Sequence, residues 1–166
     1  MAKDGEITRV LFVCTGNICR SPSAEGVLRK MADDAGLHDR LQIDSVGIGH
    51  WHVGAAPDPR AIEAAGRRGY ILDGQRARQI DRRDFQRYDL VIAMDRGHRE
   101  QLDRLCPHGL SGRIRLFTEF VGDGTPGDVP DPYYGDDAGF ETMMDLIEAG
   151  CRGLLAELGG GPAKAS

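Results

Sequence analysis

No stretch of about 18 consecutive apolar residues occurs in this 166-residue chain, which excludes a helix that spans a bilayer. The opening segment, residues 1–7, lacks the apolar core of an export signal, so the chain is expected to remain cytoplasmic. No CxxC pair and no Cys/His quartet is present, so Cys14, Cys19, Cys106 and Cys151 do not read as a zinc site. A chain of this length buries a core without covalent staples, and reduced thiols are the simplest expectation. GxGxxG is missing as well, which argues against a dinucleotide-binding domain. There is no excess of basic charge: 21 Lys and Arg against 26 Asp and Glu leave −5. That balance excludes a general nucleic-acid binder and disfavours an anionic membrane surface. Taken alone, it also predicts a ligand that is not an anion. No internal repeat or linker divides the chain. One domain is expected over residues 1–158, followed by a frayed, Gly-rich tail at 159–166.

What is present reads as alternating strands and helices. Residues 10–13 (VLFV) and 90–94 (LVIAM) are continuous apolar runs, the pattern of strands buried on both faces. Residues 41–46 (LQIDSV) and 113–116 (RIRL) alternate, as edge strands do. Helical stripes follow, with Ala24, Val27, Leu28, Met31 and Ala35 on one face after the first strand. Residues 60–68 and 95–105 read as two further helices, the second stopped by Pro107. Phe140, Met143, Met144, Ile147, Cys151, Leu154, Leu155 and Leu158 form the apolar stripe of a last helix. This order predicts a single-domain, doubly wound α/β fold. Its four parallel strands run in the order 2-1-3-4, with helices on both faces. The topological switch point then lies beyond the C-terminal ends of strands one and three, where ligands bind in such folds.

The residues at that point are Cys14-Thr15-Gly16-Asn17-Ile18-Cys19-Arg20-Ser21-Pro22. Pro22 at a first helical position and Ser21 before it are helix-start signals. A loop between a strand end and a helix N-terminus gathers backbone N–H groups into an anion cradle. Arg20 adds a planar fork that fits two phosphate oxygens. The same positive surroundings favour a thiolate at Cys14, and a thiolate beneath a phosphoryl group attacks phosphorus directly. Cys-x5-Arg is a weak pattern by itself, and a lone Cys at a strand end is commonly a small buried hydrophobe. Its place between a buried strand and a helix at the switch point gives it weight.

The string at residues 13–22 resembles the signature of the low-molecular-weight protein tyrosine phosphatases. The likeness extends through Trp51-His52-Val53-Gly54, Pro57-Asp58 with Arg60, residues 77–79, Ala93-Met94-Asp95 and Asp131-Pro132-Tyr133-Tyr134-Gly135. The resemblance implies hydrolysis of phosphotyrosine through a cysteinyl phosphate. Cys14 is then the nucleophile, Arg20 the phosphate ligand and Asp131 the general acid and base. Composition alone does not single out Asp131 from Asp123, Asp128, Asp136 and Asp137. It further implies a phosphate-binding loop of Thr15, Gly16, Asn17, Ile18, Cys19 and Ser21. Asn17 holds the loop, and Ser21 donates to the thiolate. Ser45 and Asp95 support the site, and Ile18, Trp51, His52, Tyr133 and Tyr134 form the rim of an aromatic-binding slot. Phosphoserine is too short to reach the thiolate through such a slot. The family pairs Cys14 with Cys19 in a reversible disulfide that shields the nucleophile. Cys106 and Cys151 are expected to be structural.

No metal and no cofactor is implied. The expected partners are a phosphotyrosine protein, such as a tyrosine kinase, and phosphate-like anions as inhibitors. A monomer or weak dimer is expected, and phosphorylation of Tyr133 or Tyr134 is a control carried from the family. Three positions depart from the family pattern: Ile48 replaces a Thr, Gln75 a frequent His and His98 a frequent Asn. Thioredoxin-coupled arsenate reductases share this fold, but their relay needs two further cysteines, and none lies between Arg20 and Leu105. Protein-arginine phosphatases of the same superfamily carry Thr where Ile18 stands. Ile18 favours tyrosine, and arginine phosphatase remains the alternative reading.

Overall fold

The computed structural model describes residues 6–122 and 127–159. Residues 1–5 of the opening segment, Asp123 and residues 160–166 of the expected tail lie outside the described residues. Four parallel strands form one sheet in the order β2-β1-β3-β4, as the apolar runs predict. They are β1 (Thr8–Cys14), β2 (Leu41–Gly47), β3 (Leu90–Ala93) and β4 (Ile114–Leu116). Every residue of β3 is buried, and so is β1 from Val10 onward, whereas β2 and β4 keep half-exposed positions. Val13 lies opposite both Val46 and Ala93. The carboxyl ends of three strands therefore meet at one edge.

The two faces of β1 divide the core. Val10, Phe12 and Cys14 point toward α1 (Arg20–Asp34), α2 (Pro59–Gly66) and α5 (Asp137–Glu157). Leu11 and Val13 pack on the opposite side with Phe85 of α3 (Asp84–Arg87) and Leu102 of α4 (Arg96–Leu105). This is the period-two alternation of a strand with helices on both faces.

Helix starts carry the differences from expectation. Helix α1 begins at Arg20, with Cys19 before it and no side-chain cap. Ser21 therefore does not cap the helix, because its hydroxyl is committed to the Cys14 sulfur. Pro22 consequently sits at the third helical position, where a missing N–H still costs no intrahelical bond. Helix α4 begins as expected: the Asp95 carboxylate accepts from His98 N at 2.7 Å, an ordinary N-cap. Helix α5 begins a turn earlier than its apolar stripe, capped by Asp136. The four-residue helix α3 was not readable from periodicity, since it is barely one turn long.

Candidate active site

The loop at residues 15–19 leaves β1 and enters α1 at the edge where the strand ends meet. Backbone bonds from the segment after β2 hold its outer side: Ile48 N donates to Cys14 O and Gly49 N to Thr15 O, both at 2.9 Å. On the other side Asp58 N donates to Ile18 O at 2.8 Å. Asn17 occupies the left-handed region at φ 60°, which few non-glycine residues enter and asparagine enters most readily, and its surroundings hold it there.

Those surroundings are a hydrogen-bond chain whose direction follows from donor counting. Asn17 Oδ1 accepts from Arg78 N at 3.0 Å, which assigns the other end of the amide as the NH₂ group. Asn17 Nδ2 donates to Ser21 Oγ at 2.8 Å and to Ser45 Oγ at 2.9 Å. Ser45 passes its own proton to Glu25 Oε1 at 2.7 Å. Ser21, already accepting from Asn17, directs its proton to Cys14 Sγ at 3.0 Å, closer than its other acceptor, Val46 O, at 3.3 Å. Ser21 N also points at the sulfur, at 3.4 Å. The buried Cys14 sulfur therefore faces donors, an arrangement that stabilises a thiolate.

Glu25 is the far end of this chain, and motif reading did not find it. Burial pushes its carboxyl up, opposed by the bond from Ser45 and by the ion pair with Arg29. Its only sequence signal is an acid four residues before Arg29 on one helix.

Arg20 is 3 % exposed, a degree of burial that requires partners for its charge. Its Nη1 donates to Asp95 Oδ2 at 2.9 Å and to Val129 O at 3.0 Å. Its Nη2 lies 3.4 Å from Asp131 Oδ2. The segment that carries Asp131 is tied down at both ends. Val129 N donates to Met94 O at 2.9 Å at the end of β3. Arg60 donates to Tyr133 O at 3.0 Å, pairs with Asp58 at 2.9 Å and lies over the Tyr133 ring. Arg60 thus bridges α2 to the Asp131 segment, a role its sequence position did not disclose.

Above the loop lies a cavity of about 380 Å³. Cys14, Thr15, Gly16, Ile18, Cys19, Arg20 and Asp131 form its floor and lower wall, and Trp51, His52, Tyr133 and Tyr134 its rim. Trp51 is 69 % exposed and Tyr134 91 %, which makes both surface walls and not core. Trp51 stacks on His50, and Tyr133 meets Tyr134 edge to face with centroids 4.9 Å apart. Asn17, Ser21, Ser45 and Asp95 stand behind the floor. Cys19 is buried, and burial, then the Asp58 carboxylate, pushes its thiol well up, so it stays protonated. Cys151 is wholly buried on the inner stripe of α5, whereas Cys106 is half-buried at the end of α4. Gln75 donates to Pro22 O at 3.0 Å and makes no bond to Ser45 or Glu25. Among the described residues, no group of three or more His, Cys, Asp and Glu side chains is arranged to hold a metal ion.

A family model described as low molecular weight phosphotyrosine protein phosphatase matches residues 9–162. A low molecular weight protein-tyrosine-phosphatase of Streptomyces coelicolor is 47% identical over 151 residues, 89% of this chain and 92% of its own. The crystal structure of YfkJ from Bacillus subtilis superposes with a TM-score of 0.88 at 40% identity, covering 94% of this chain and 97% of that one. Vibrio vulnificus Wzb, solved in complex with benzylphosphonate, superposes with a TM-score of 0.80 at 29% identity, covering 91% and 99%.

Proposed function

Because the chain belongs to the low molecular weight phosphotyrosine protein phosphatase family, we propose that its catalytic cycle runs through Cys14, Arg20 and Asp131. The protein is a protein-tyrosine phosphatase, so its substrates are phosphoproteins and its ligands phosphate-like anions. The expectation drawn from net charge, that the ligand is not an anion, therefore fails. Net charge does not register a buried guanidinium, a ring of loop amides and a helix N-terminus, and these act within a few ångströms.

The observation that carries the residue assignment is one cavity lined by Cys14, Arg20 and Asp131 beneath an aromatic rim. Phosphotyrosine enters with its ring between Tyr133 and Trp51. The phosphate settles on the loop amides, with Nε and Nη2 of Arg20 free of the Asp95 and Val129 contacts that occupy Nη1. The thiolate attacks phosphorus in line, and Asp131 gives its proton to the departing phenolate. Asp131 then takes a proton from the water that hydrolyses the cysteinyl phosphate. Ser21 donates to the leaving thiolate, as its 3.0 Å contact with the sulfur supports. Ile18 at the cavity wall favours tyrosine over arginine substrates. A physiological tyrosine-kinase partner, a monomeric or weakly dimeric state and a cytoplasmic setting belong to the same proposal. No described helix is long and apolar enough to cross a membrane.

The test compares leaving groups. Asp131→Ala is expected to lower kcat/KM, which reports the first step, by about 10²–10⁴-fold for phenyl phosphate and much less for p-nitrophenyl phosphate, because a good leaving group needs no proton. Cys14→Ser is expected to abolish both. Equal losses on the two substrates would remove Asp131 as the acid, and retained turnover in Cys14→Ser would remove the nucleophile.

A further inference from the structure

His98 stands at the start of α4 and is 4 % exposed, yet it reaches the phosphate loop. Its Nε2 lies 2.8 Å from Thr15 Oγ1. The same Thr15 oxygen accepts from Arg20 Nη2 at 3.4 Å. On the other side of the ring, His98 Nδ1 lies 3.1 Å from Asp95 Oδ1, and the second oxygen of that carboxylate accepts from Arg20 Nη1. Arg20, Thr15, His98 and Asp95 thus form a closed ring of four side chains. They come from the loop after β1, the start of α1, the end of β3 and the first turn of α4.

We propose that His98 is a positioning residue for Arg20: by accepting the Thr15 hydroxyl proton it turns the Thr15 oxygen toward the guanidinium and holds the phosphate-binding fork in place.

Donor counting and the Asp95 charge give the ring its direction. A guanidinium only donates, so Thr15 Oγ1 is an acceptor toward Arg20. A hydroxyl oxygen can accept twice, so the tautomer is decided at the other ring nitrogen: with Nδ1 protonated beside Asp95, Nε2 is bare and accepts from the Thr15 hydroxyl. In a neutral imidazole a proton on Nδ1 leaves Nε2 bare. Nδ1 makes no well-aligned hydrogen bond, but the nearest charge facing it is the Asp95 carboxylate. A lone pair there would be repelled and an N–H attracted. The imidazole is neutral: burial, then the Arg20 charge, lowers His98 to about 4 against the opposite pull of Asp95, Asp131 and Asp128. An imidazolium, or the Nε2–H form, would donate to Thr15 and leave the Thr15 hydroxyl proton without an acceptor in the ring.

This inference rests on Arg20 as the phosphate ligand, so Arg20→Ala is the control. If phosphate affinity survives in that variant, the reading of the site fails, irrespective of His98. The tautomer is read directly in the wild-type protein at pH 7 by nitrogen–proton correlation of its imidazoles. The Nδ1–H form is expected at His98, and an Nε2–H form overturns the proposal. The second measurement is the inhibition constant of inorganic phosphate in a double-mutant cycle. Thr15→Val and His98→Ala are each expected to weaken phosphate binding roughly fivefold, one net hydrogen bond, with the double variant no weaker than the worse single. His98→Gln, whose carbonyl oxygen replaces the bare nitrogen, is expected to recover part of the loss. Multiplicative effects in the double variant, or unchanged constants in both singles, overturn the proposal. The tautomer measurement decides it if a variant does not fold.

Discussion

Asn17 is the only described non-glycine residue with a left-handed backbone, and its side chain explains how that conformation persists. Three bonds, to Arg78 N, Ser21 Oγ and Ser45 Oγ, use both ends of its amide. Strain of order 1–3 kcal/mol is thereby held at the centre of the loop by groups that also orient the Cys14 sulfur. His98 shows a second residue-level consequence of burial. The folded state takes up its proton only near pH 4, whereas the unfolded chain takes it up near 6.5. Between those values the unfolded state binds more protons, so this contribution to stability is complete above about pH 6.5 and is lost as pH falls toward 4. Urea unfolding of the wild type and of His98→Gln is expected to diverge in pH dependence below about pH 6.5, with the variant losing less stability on acidification. Parallel profiles would contradict a neutral, buried His98. The part of Asn17 was legible through the family motif, whereas that of His98 was not. Thr15 and His98 are 83 positions apart, and only the crossover between β1 and β3 joins them. Asp131 was legible through its motif alone, since the neighbouring aspartates are chemically equivalent until the fold sets their contacts. Asp128, for instance, is spent on Arg96.

At the scale of elements, two glycines separate stability from catalysis. Gly153 lies on α5 against the 3₁₀ turn Phe117–Phe120, and a Cβ there would stand 1.9 Å from Phe120 O. Gly153→Ala must push helix and turn apart, at a cost on the order of 1–3 kcal/mol or more. Gly47 ends β2, and a Cβ there would lie 3.0 Å from Gly16 C and Thr15 O and 3.1 Å from Asn17 N. Gly47→Ala presses on the loop itself and is expected to lower kcat/KM roughly tenfold, since small misplacements at a reacting centre are costly. Thermal unfolding and kinetics together check the pair. Gly153→Ala should lose stability with near-normal kcat/KM for the folded protein, and Gly47→Ala should show the larger kinetic loss. The reverse pattern would contradict these packing roles. Elements were the most legible scale. Strands β1 and β3 announced themselves as continuous apolar runs because both faces are covered, and β2 and β4 alternate because they are edges. Helix α1 was placed late because Ser21 looks like a cap, although its hydroxyl serves the sulfur.

For the whole molecule, the fold brings distant segments to one edge and leaves the chemistry to a small part of the surface. Net charge illustrates the limit of composition: the −5 of the chain coexists with a site for a phosphate monoester. Seven acidic and no basic residues lie from Asp123 to Asp145, yet Asp131 within that stretch is held beside the buried guanidinium of Arg20. On the proposed cycle one sulfur, that of Cys14, carries the phosphoryl group between tyrosine and water. Rapid acid quenching of Asp131→Ala during turnover of p-nitrophenyl phosphate tests this most directly. In that variant the first step needs no proton donor, whereas hydrolysis of the intermediate still lacks its base, so the phosphorylated enzyme accumulates. Mass spectrometry of the digested protein is expected to find one phosphoryl group on the peptide containing Cys14, bound through sulfur. A burst of p-nitrophenol with the phosphoryl group on another residue, or with no phosphorylated protein, would contradict the account.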